Sequence, residues 1–427
     1  MPDEASSDVI SGGRDPDSRR ARLGRLLAGV AVAALVAGFI ALHVDSSLSR
    51  TVPPPRPSPS PVALTAPQML HGTPLRPSDA PATQLFLGGD DLRLLNVRQQ
   101  TQVSLAEVLP DGGDAQDPLG PGTAVQEISS VNGGVVALVD GQGAAGLPDI
   151  GDVLFIPVGT RGPGPMRIIA RANYMAVAPD HSEVWVEQAG PPWGNGPSDS
   201  PAWLVGENGQ RLSGIIHLSD QELIADTAPG LLLQSPDRGL ALMSPGSGHT
   251  RPVGIPQDSV IVAANSDEVA WQDPACPPDC TLHVTDLRGG PGARLTLPPD
   301  TVINTNDTAD FDPAGQRLAL ALDSVDRQGT AAADTYVYVA DLRTGKLTRV
   351  PGGPIPVVTL PVVPGAFPYG SSTVICARWS ADGSGLWIVA TDGLYYQAGY
   401  WTGNGPLRVL QPEAGLAYKL ALPGPAA

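Results

Sequence analysis

A strand–turn–strand unit recurs along this chain about every 50 residues, and this period restricts the fold more than any other feature. Each copy has two short apolar runs of period two on either side of a polar turn, a pattern typical of β-hairpins. The copies have turns centred on Gly133, His181, Gly230, Ser266, Gly315 and Gly383. A period of about 40–50 residues is typical of one propeller blade of four strands.

The composition agrees with an all-β domain. The chain has 50 glycines and 46 prolines among its 427 residues. So many turn-forming residues exclude a mainly helical protein and favour many short strands. The net charge of −17 argues against a protein that binds the phosphate backbone of DNA or RNA.

A membrane anchor is predicted near the N-terminus. The run from Leu26 to Val44 has one polar side chain, His43. At about 1.5 Å per residue it nearly spans the hydrocarbon core of a bilayer. Arginines cluster before the run, which predicts a cytoplasmic N-terminus and an extracytoplasmic C-terminal domain. A cleaved signal peptide is the alternative, but the residues after His43 form a weak cleavage site.

A proline-rich segment follows the predicted span and contains PPPRPSPSP. Such a sequence favours extended polyproline II geometry and a semi-rigid stalk. The predicted organisation is therefore a disordered cytoplasmic tail, a transmembrane helix, an extracytoplasmic stalk, a β-propeller and a short tail, at residues 1–25, 26–44, 45–83, 84–423 and 424–427.

A second landmark follows the strongest repeats. TLHVTDLRGGPGARLTL from Thr281 matches YVYVADLRTGKLTRV from Tyr336, and LRLLNVRQQTQVSL from Leu92 is a degenerate third copy. The combined unit resembles the repeats of WD40-like and TolB-type β-propellers over about residues 84–423. The Gly-His and Trp-Asp dipeptides of WD40 blades are missing. With one anchor and a stalk, the chain resembles actinobacterial single-pass membrane proteins.

The repeat count favours seven blades, with six or eight as alternatives and two stacked β-sandwiches as a different solution. Six units are complete between about residues 123 and 412. Residues 84–109 supply about three further strands, and residues 415–422 supply one. A seventh blade built from both ends closes the ring and removes free sheet edges.

Signals for catalysis are weak. No G-x-S-x-G, H-E-x-x-H or P-loop motif is present, and the histidines are not at metal-ligand spacing. The acidic segment 304–312 lacks the glycine that a calcium-binding loop has at its sixth position. Asp286 and Asp341 occupy equivalent repeat positions, where Asp caps a turn. We therefore predict no catalytic residue, no cofactor and no metal.

Two cysteines, Cys276 and Cys280, are close in sequence and predicted to be extracytoplasmic, which favours a disulfide between them. Cys376 lies in an apolar strand and is predicted to be a buried core residue.

Long insertions at 188–202, 272–281, 324–335 and 351–371 are predicted to share one propeller face. Candidate partner-binding residues on them are Trp193, Asn195, Phe367 and Tyr369. These aromatics could equally pack within their own loops.

Three functions are consistent with these features. The first is a membrane-anchored propeller that binds a protein, peptide or envelope ligand. The second is an envelope-stress sensor that signals through its short tail. The third is a propeller hydrolase or lyase, which requires converging acids or a metal that the sequence does not display.

Overall fold

The apolar strands of this chain assemble into seven antiparallel sheets, arranged as the blades of a propeller. The computed structural model describes residues 68–79, 81, 84–108, 124–140, 150–159, 162–188, 199–235, 239–273, 280–303, 309–325, 332–356, 374–392 and 394–424. The predicted transmembrane segment at 26–44 lies outside these residues. Among those that are described, no helix has the length and hydrophobicity to cross a bilayer.

Each blade has four main strands, which we name A to D in order across the sheet. Blades 1 to 4 are Lys419–Ala421, Gln84–Gly88, Leu92–Asn96, Thr101–Ser104; Val125–Val131, Gly134–Val139, Gly151–Gly159, Arg167–Ala172; Tyr174–Val177, Val184–Glu187, Asp199–Val205, Ile216–Ser219; and Glu222–Thr227, Gly230–Ser235, Gly239–Met243, Thr250–Pro252.

The remaining blades follow the same order, and blade 6 divides its A strand in two. Blades 5 to 7 are Val260–Ala264, Glu268–Gln272, Thr281–Asp286, Ala293–Thr296; Thr301–Ile303 with Asp310–Phe311, Arg317–Val325, Ala332–Asp341, Lys346–Arg349; and Val374–Trp379, Leu386–Thr391, Tyr395–Trp401, Arg408–Val409. Short additional strands are Thr73–Pro74, Gly162–Pro163, Ile355–Pro356 and Glu413–Ala414, and the described helical segments are Pro77–Asp79 (3-10) and Leu105–Val108 (α).

The B strands explain how period-two sequences build this ring. In blade 1, Leu85 and Leu87 pack in the seam with blade 7, whereas Phe86 packs in the seam with blade 2. Successive side chains of a strand point to opposite faces, so both faces of a middle strand need apolar residues. Each neighbouring pair of blades has its own buried apolar cluster, and seven such clusters complete the circle.

The ring is closed as the sequence predicts. Strand Lys419–Ala421 from the C-terminus pairs antiparallel with Gln84–Gly88, so that Leu420 is opposite Leu87. The neighbouring blades also hold this strand. Arg378 Nε of blade 7 donates to Leu420 O at 3.2 Å, and Ser130 Oγ of blade 2 donates to Leu422 O at 2.5 Å. The all-β, seven-bladed architecture is thus confirmed.

An entry segment, residues 68–75, joins the propeller from within the stretch predicted as stalk. Its strand Thr73–Pro74 pairs parallel with Arg408–Val409, at the outer edge of blade 7. Met69 and Leu70 are buried in the seam between blades 6 and 7, and Leu75 is buried in the seam between blades 7 and 1. Blade 7 therefore also contacts the entry segment, which precedes the first strand of the propeller in the sequence.

Gln397 holds this entry segment through a fully buried carboxamide. Its Oε1 accepts from Met69 N at 2.9 Å and from Leu70 N at 2.7 Å. Its Nε2 donates to Leu410 O at 2.9 Å. With 1% of its surface exposed, Gln397 places every polar atom of its side chain in a hydrogen bond.

We predict that Gln397→Leu destabilises the propeller, because two buried N–H groups lose their acceptor. Each buried unsatisfied donor costs about 1–3 kcal/mol, so the free energy of unfolding should fall by about 2–6 kcal/mol. Urea unfolding measures the change. Gln210→Leu, at an exposed turn position of blade 3, is the matched control and should change stability little. Equal stabilities for the two variants would contradict this role.

Candidate binding surface

The strand order gives the propeller two different faces. The A–B and C–D turns lie on one, which we call the hairpin face. The B–C and D–A connections lie on the other, which we call the loop face. The insertions at 188–202, 272–281 and 324–335 connect strands B and C, and the one at 351–371 connects blades 6 and 7. Their flanking strand ends therefore lie on the loop face, in agreement with the predicted strand order.

The residues predicted to bind a partner lie in those insertions. Trp193, Asn195, Phe367 and Tyr369 are outside the described residues, so their role stays a prediction.

Cys276 is also outside the described residues. Cys280 is buried in the seam between blades 5 and 6, and its pairing with Cys276 stays a prediction. Cys376 is buried in the seam between blades 7 and 1, as expected.

The hairpin face is tied together by hydrogen bonds between turns of neighbouring blades. The turns predicted at Gly133, His181, Gly230, Gly315 and Gly383 all have a residue with positive φ. The backbone and side-chain bonds that cross between blades include Asn132 N to His181 O at 2.8 Å, Ala228 N to Ser266 O at 2.7 Å, Arg317 Nη2 to Gly383 O at 2.7 Å and Gly424 N to Gly134 O at 3.0 Å. These bonds make the hairpin face a connected, rigid layer.

The acids singled out in the repeats act as turn caps. Asp286 Oδ1 accepts from Arg288 N at 2.7 Å, and Asp341 Oδ1 accepts from Thr344 N at 2.8 Å. Hydrogen bonds from Thr344 hold the pKa of Asp341 below its usual value. Both residues sit at the C–D turn of consecutive blades, so the structural interpretation of these carboxylates is confirmed.

Of the segment 304–312 the structure describes residues 309–312, and Asp310 lies in the seam between blades 6 and 7. Asp310 Oδ2 accepts from Trp379 N at 2.8 Å, and its Oδ1 lies 3.5 Å from Arg378 Nη1. Burial raises the pKa of Asp310, and Arg378 and the Trp379 N–H partly offset that effect. Asp312 is also buried and accepts from the backbone and side chain of Arg317. Asp310 thus binds blade 7 directly, whereas Asp312 holds Arg317 of its own blade, whose Nη2 donates to Gly383 O of blade 7 at 2.7 Å.

Near the ring centre, the loop face has an acidic group between blades 3 and 4. Glu187 ends strand B of blade 3, is 1% exposed, and accepts from Leu223 N of blade 4 at 2.8 Å. Burial raises the pKa of Glu187 to about 6. Tyr174, whose ring is more than one-third exposed, hydrogen bonds with Glu222. Glu187 thus crosses the seam between blades 3 and 4, and Tyr174 beside it is partly exposed.

Two histidines on the loop face pair with carboxylates. His217 Nδ1 lies 2.9 Å from Asp199 Oδ2, and His283 Nε2 lies 3.2 Å from Asp273 Oδ2. His283 also stacks on Trp271, with ring centroids 4.1 Å apart. Within the described part of the chain, no group of three His, Cys, Asp or Glu side chains has the arrangement of a metal site.

A cavity of about 180 Å³ lies between the outer strands of blades 7 and 1, and we call it the seam cavity. Its walls combine buried apolar side chains with polar residues, namely Leu95, Gln100, Tyr396, Ala398, Leu410, Gln411 and Glu413. Pockets for drug-sized ligands measure about 300–1,000 Å³. The seam cavity therefore fits one side chain or a very small molecule.

The polar groups of the seam cavity have defined orientations. Tyr396 O–H donates to Gln102 Oε1, and Gln100 Nε2 donates to Leu75 O at 2.9 Å. Burial, followed by the charge of Glu413, raises the pKa of Tyr396, so its phenol stays protonated. Glu413 pairs through its backbone with Tyr396 at the loop-face end of strand C. No ion pair to Glu413 occurs among the described residues.

Leu394 lies in the B–C turn of blade 7, two residues before Tyr396 of the cavity wall. It is 72% exposed, more than any other large apolar side chain in the described structure. Leu394 O accepts from Gly415 N at 2.8 Å, which fixes the turn beside the strand that contains Glu413. The sequence alone does not reveal this cavity, because its walls come from positions near 100 and near 400. Knowledge of the blade closure is needed to bring them together.

Known proteins were compared with this chain by sequence and by structure, and the similarities found are distant. No protein-family model matches the chain, and no curated protein sequence matches it. TolB from Acinetobacter baumannii is 10% identical over 80% of this chain and 67% of TolB, with a TM-score of 0.42. AztD from Citrobacter koseri is 10% identical over 79% of this chain and 97% of AztD, with a TM-score of 0.44.

A third solved structure, an oligogalacturonate lyase in complex with manganese, is 11% identical. That comparison covers 81% of this chain and 88% of the lyase, with a TM-score of 0.46. At such identities and TM-scores, these similarities concern the general fold. The seven sheets and their order establish the propeller independently.

We predict that ionisation of Glu187 destabilises the seam between blades 3 and 4. Its pKa is about 6 in the folded protein and about 4.3 when unfolded, so the folded state holds the proton more tightly. The contribution of Glu187 to the free energy of unfolding should therefore fall by about 2 kcal/mol as the pH rises from about 4 to 6. Glu187→Gln keeps an acceptor for Leu223 N without the charge and should not show this loss.

Urea unfolding of wild type and Glu187→Gln at several pH values tests this. The free energy of unfolding of Glu187→Gln, relative to that of the wild type, should rise by about 2 kcal/mol between pH 4 and pH 7. Glu207→Gln, in an exposed turn of blade 3, serves as the control and should track the wild type. A stability difference for Glu187→Gln that is the same at both pH values would refute the prediction.

Proposed function

We propose that this chain is a membrane-anchored, extracytoplasmic β-propeller that binds a protein, peptide or cell-envelope ligand and has no catalytic role. The observation that carries the proposal is the asymmetry of its two faces. On the hairpin face, turns of neighbouring blades are joined by hydrogen bonds. The long insertions leave from strand ends on the loop face. Variable connections on a rigid scaffold are the usual location of binding residues.

The N-terminal sequence supports the proposed extracytoplasmic location of the propeller. The apolar run at 26–44, with arginines before it, supports an anchor with the propeller outside. The stalk leads to the entry segment, whose buried residues attach it to blades 6 and 7.

Photo-cross-linking in intact spheroplasts tests both parts of the proposal. A photoreactive amino acid replaces Gln188 or Asp273, at loop-face strand ends, or Asn132 or Ser266, at hairpin-face turns, in the full chain. We expect defined adducts from the two loop-face positions only. Protease added to the outside should digest those adducts, because the domain is extracytoplasmic.

Two results would contradict the proposal. Adducts that form equally from both faces, or from neither, would refute the loop face as the binding surface. Adducts that resist external protease, while digestion proceeds after detergent is added, would refute the extracytoplasmic location.

A further inference from the structure

The seam cavity combines an apolar chamber with a carboxylate at its edge. Leu95, Ala398 and Leu410 are each less than 7% exposed and form apolar walls. The half-buried Glu413 adds a negative charge that no ion pair neutralises among the described residues. A ligand that fits must carry an apolar stem with a cationic end.

The orientation of neighbouring groups supports a cationic ligand. Gln100 uses its Nε2 to bind Leu75 O, so that its Oε1 remains as an acceptor. The nearby Arg93 is already engaged by Asp91 at 2.6 Å and by Ala414 O at 2.7 Å. The Tyr396 hydroxyl donates to Gln102. The groups that remain for a ligand are thus the Glu413 carboxylate, the Gln100 oxygen and the Gln411 carboxamide, and only the last of these can also donate.

The size of the cavity restricts the ligand to about one side chain. Its volume of about 180 Å³ is smaller than the about 300–1,000 Å³ of pockets for drug-sized ligands. Lysine and arginine have an apolar stem of three or four methylenes and a charged head, and they bury the stem while the head finds a carboxylate. The guanidinium of arginine can also form two parallel bonds with one carboxylate.

We propose that the seam cavity binds a lysine or arginine side chain of a peptide or protein partner, with Glu413 as the anionic contact and Leu394 as the adjacent apolar contact. This assignment rests on the proposed binding function and names the chemistry of its partner. The net charge of −17 would also attract a basic partner. Both ends of the chain contribute to the site, since Leu95 belongs to blade 1 and Glu413 to the extension of blade 7.

Titration of the purified full chain in detergent tests the assignment. The probe is the amidated peptide acetyl-Ala-Arg-Leu-Ala, and its counterpart contains citrulline, which has the same shape without the charge. Isothermal titration calorimetry should show about tenfold tighter binding of the arginine peptide, as expected for a charge-assisted contact. Glu413→Gln should weaken the arginine peptide about tenfold and leave the citrulline peptide unchanged.

Two further variants complete the design. Glu207→Gln removes a carboxylate from an exposed turn of blade 3 and should bind both peptides as the wild type does. Ala398→Leu fills the cavity and should abolish binding of both peptides, with a thermal unfolding scan to show that it folds. Equal affinity of wild type and Glu413→Gln for the arginine peptide would overturn the assignment.

The two proposals fail separately. Loop-face adducts in spheroplasts, together with no effect of Glu413→Gln on peptide affinity, overturn the cavity assignment and leave the binding role intact. A Glu413-dependent affinity without loop-face adducts supports the cavity and contradicts the loop face as the main binding surface.

Discussion

Closure of the ring is the constraint on which the rest of this structure depends. A sheet that ends in an unpaired strand exposes N–H and C=O groups that can pair with another chain. Strand Lys419–Ala421 covers the inner edge of Gln84–Gly88 in blade 1 by pairing with it, and the residues around this strand bond to both neighbouring blades. The loop face, the hairpin face and the seam cavity all exist in their described form only if the ring is closed here.

The closure is reinforced by charge and hydrogen bonding at blade 7. Arg378 reaches Asp310 and Ala309 O on one side and Leu420 O on the other, so one side chain links blades 6, 7 and 1. Arg317 stacks over Trp379, with its guanidinium carbon 4.1 Å from the ring centroid. The entry segment then covers the outer edge of the same blade. Blade 7 is therefore fixed from its inner strand to its outer strand.

Much of this architecture could be predicted from sequence, because propeller repeats are local. The turns at Gly315 and Gly383 have positive φ, which glycine adopts easily. The apolar strands that flank each turn lie within a few residues of it, so the whole hairpin is visible in a short stretch of sequence. The DLR turns at Asp286 and Asp341 are visible for the same reason. Closure was predictable too, since the N-terminal residues supplied three strands and GLAYKLAL supplied the fourth.

Other features could not be inferred, because they depend on contacts between distant segments. Nothing in the sequence around Met69 distinguishes the entry segment from the proline-rich stalk, yet Gln397, more than 300 positions later, accepts from its backbone. Glu413 looks like an ordinary surface acid in a sequence rich in carboxylates. Its proximity to Leu95 and Tyr396 arises only once blades 7 and 1 meet.

Removal of the closing strand, Lys419–Ala421, tests directly whether the fold depends on closure of the ring. Deletion of 415–427 removes Leu420 and Leu422 from the core, and burial of each such side chain contributes about 1.5–3 kcal/mol. It also exposes the edge of blade 1. Deletion of 425–427, which retains the bond from Gly424 N to Gly134 O, is the control. We expect the protein that lacks 415–427 to be insoluble or to melt at a much lower temperature than the protein that lacks 425–427. A longer deletion that melts at the same temperature as the control would contradict it.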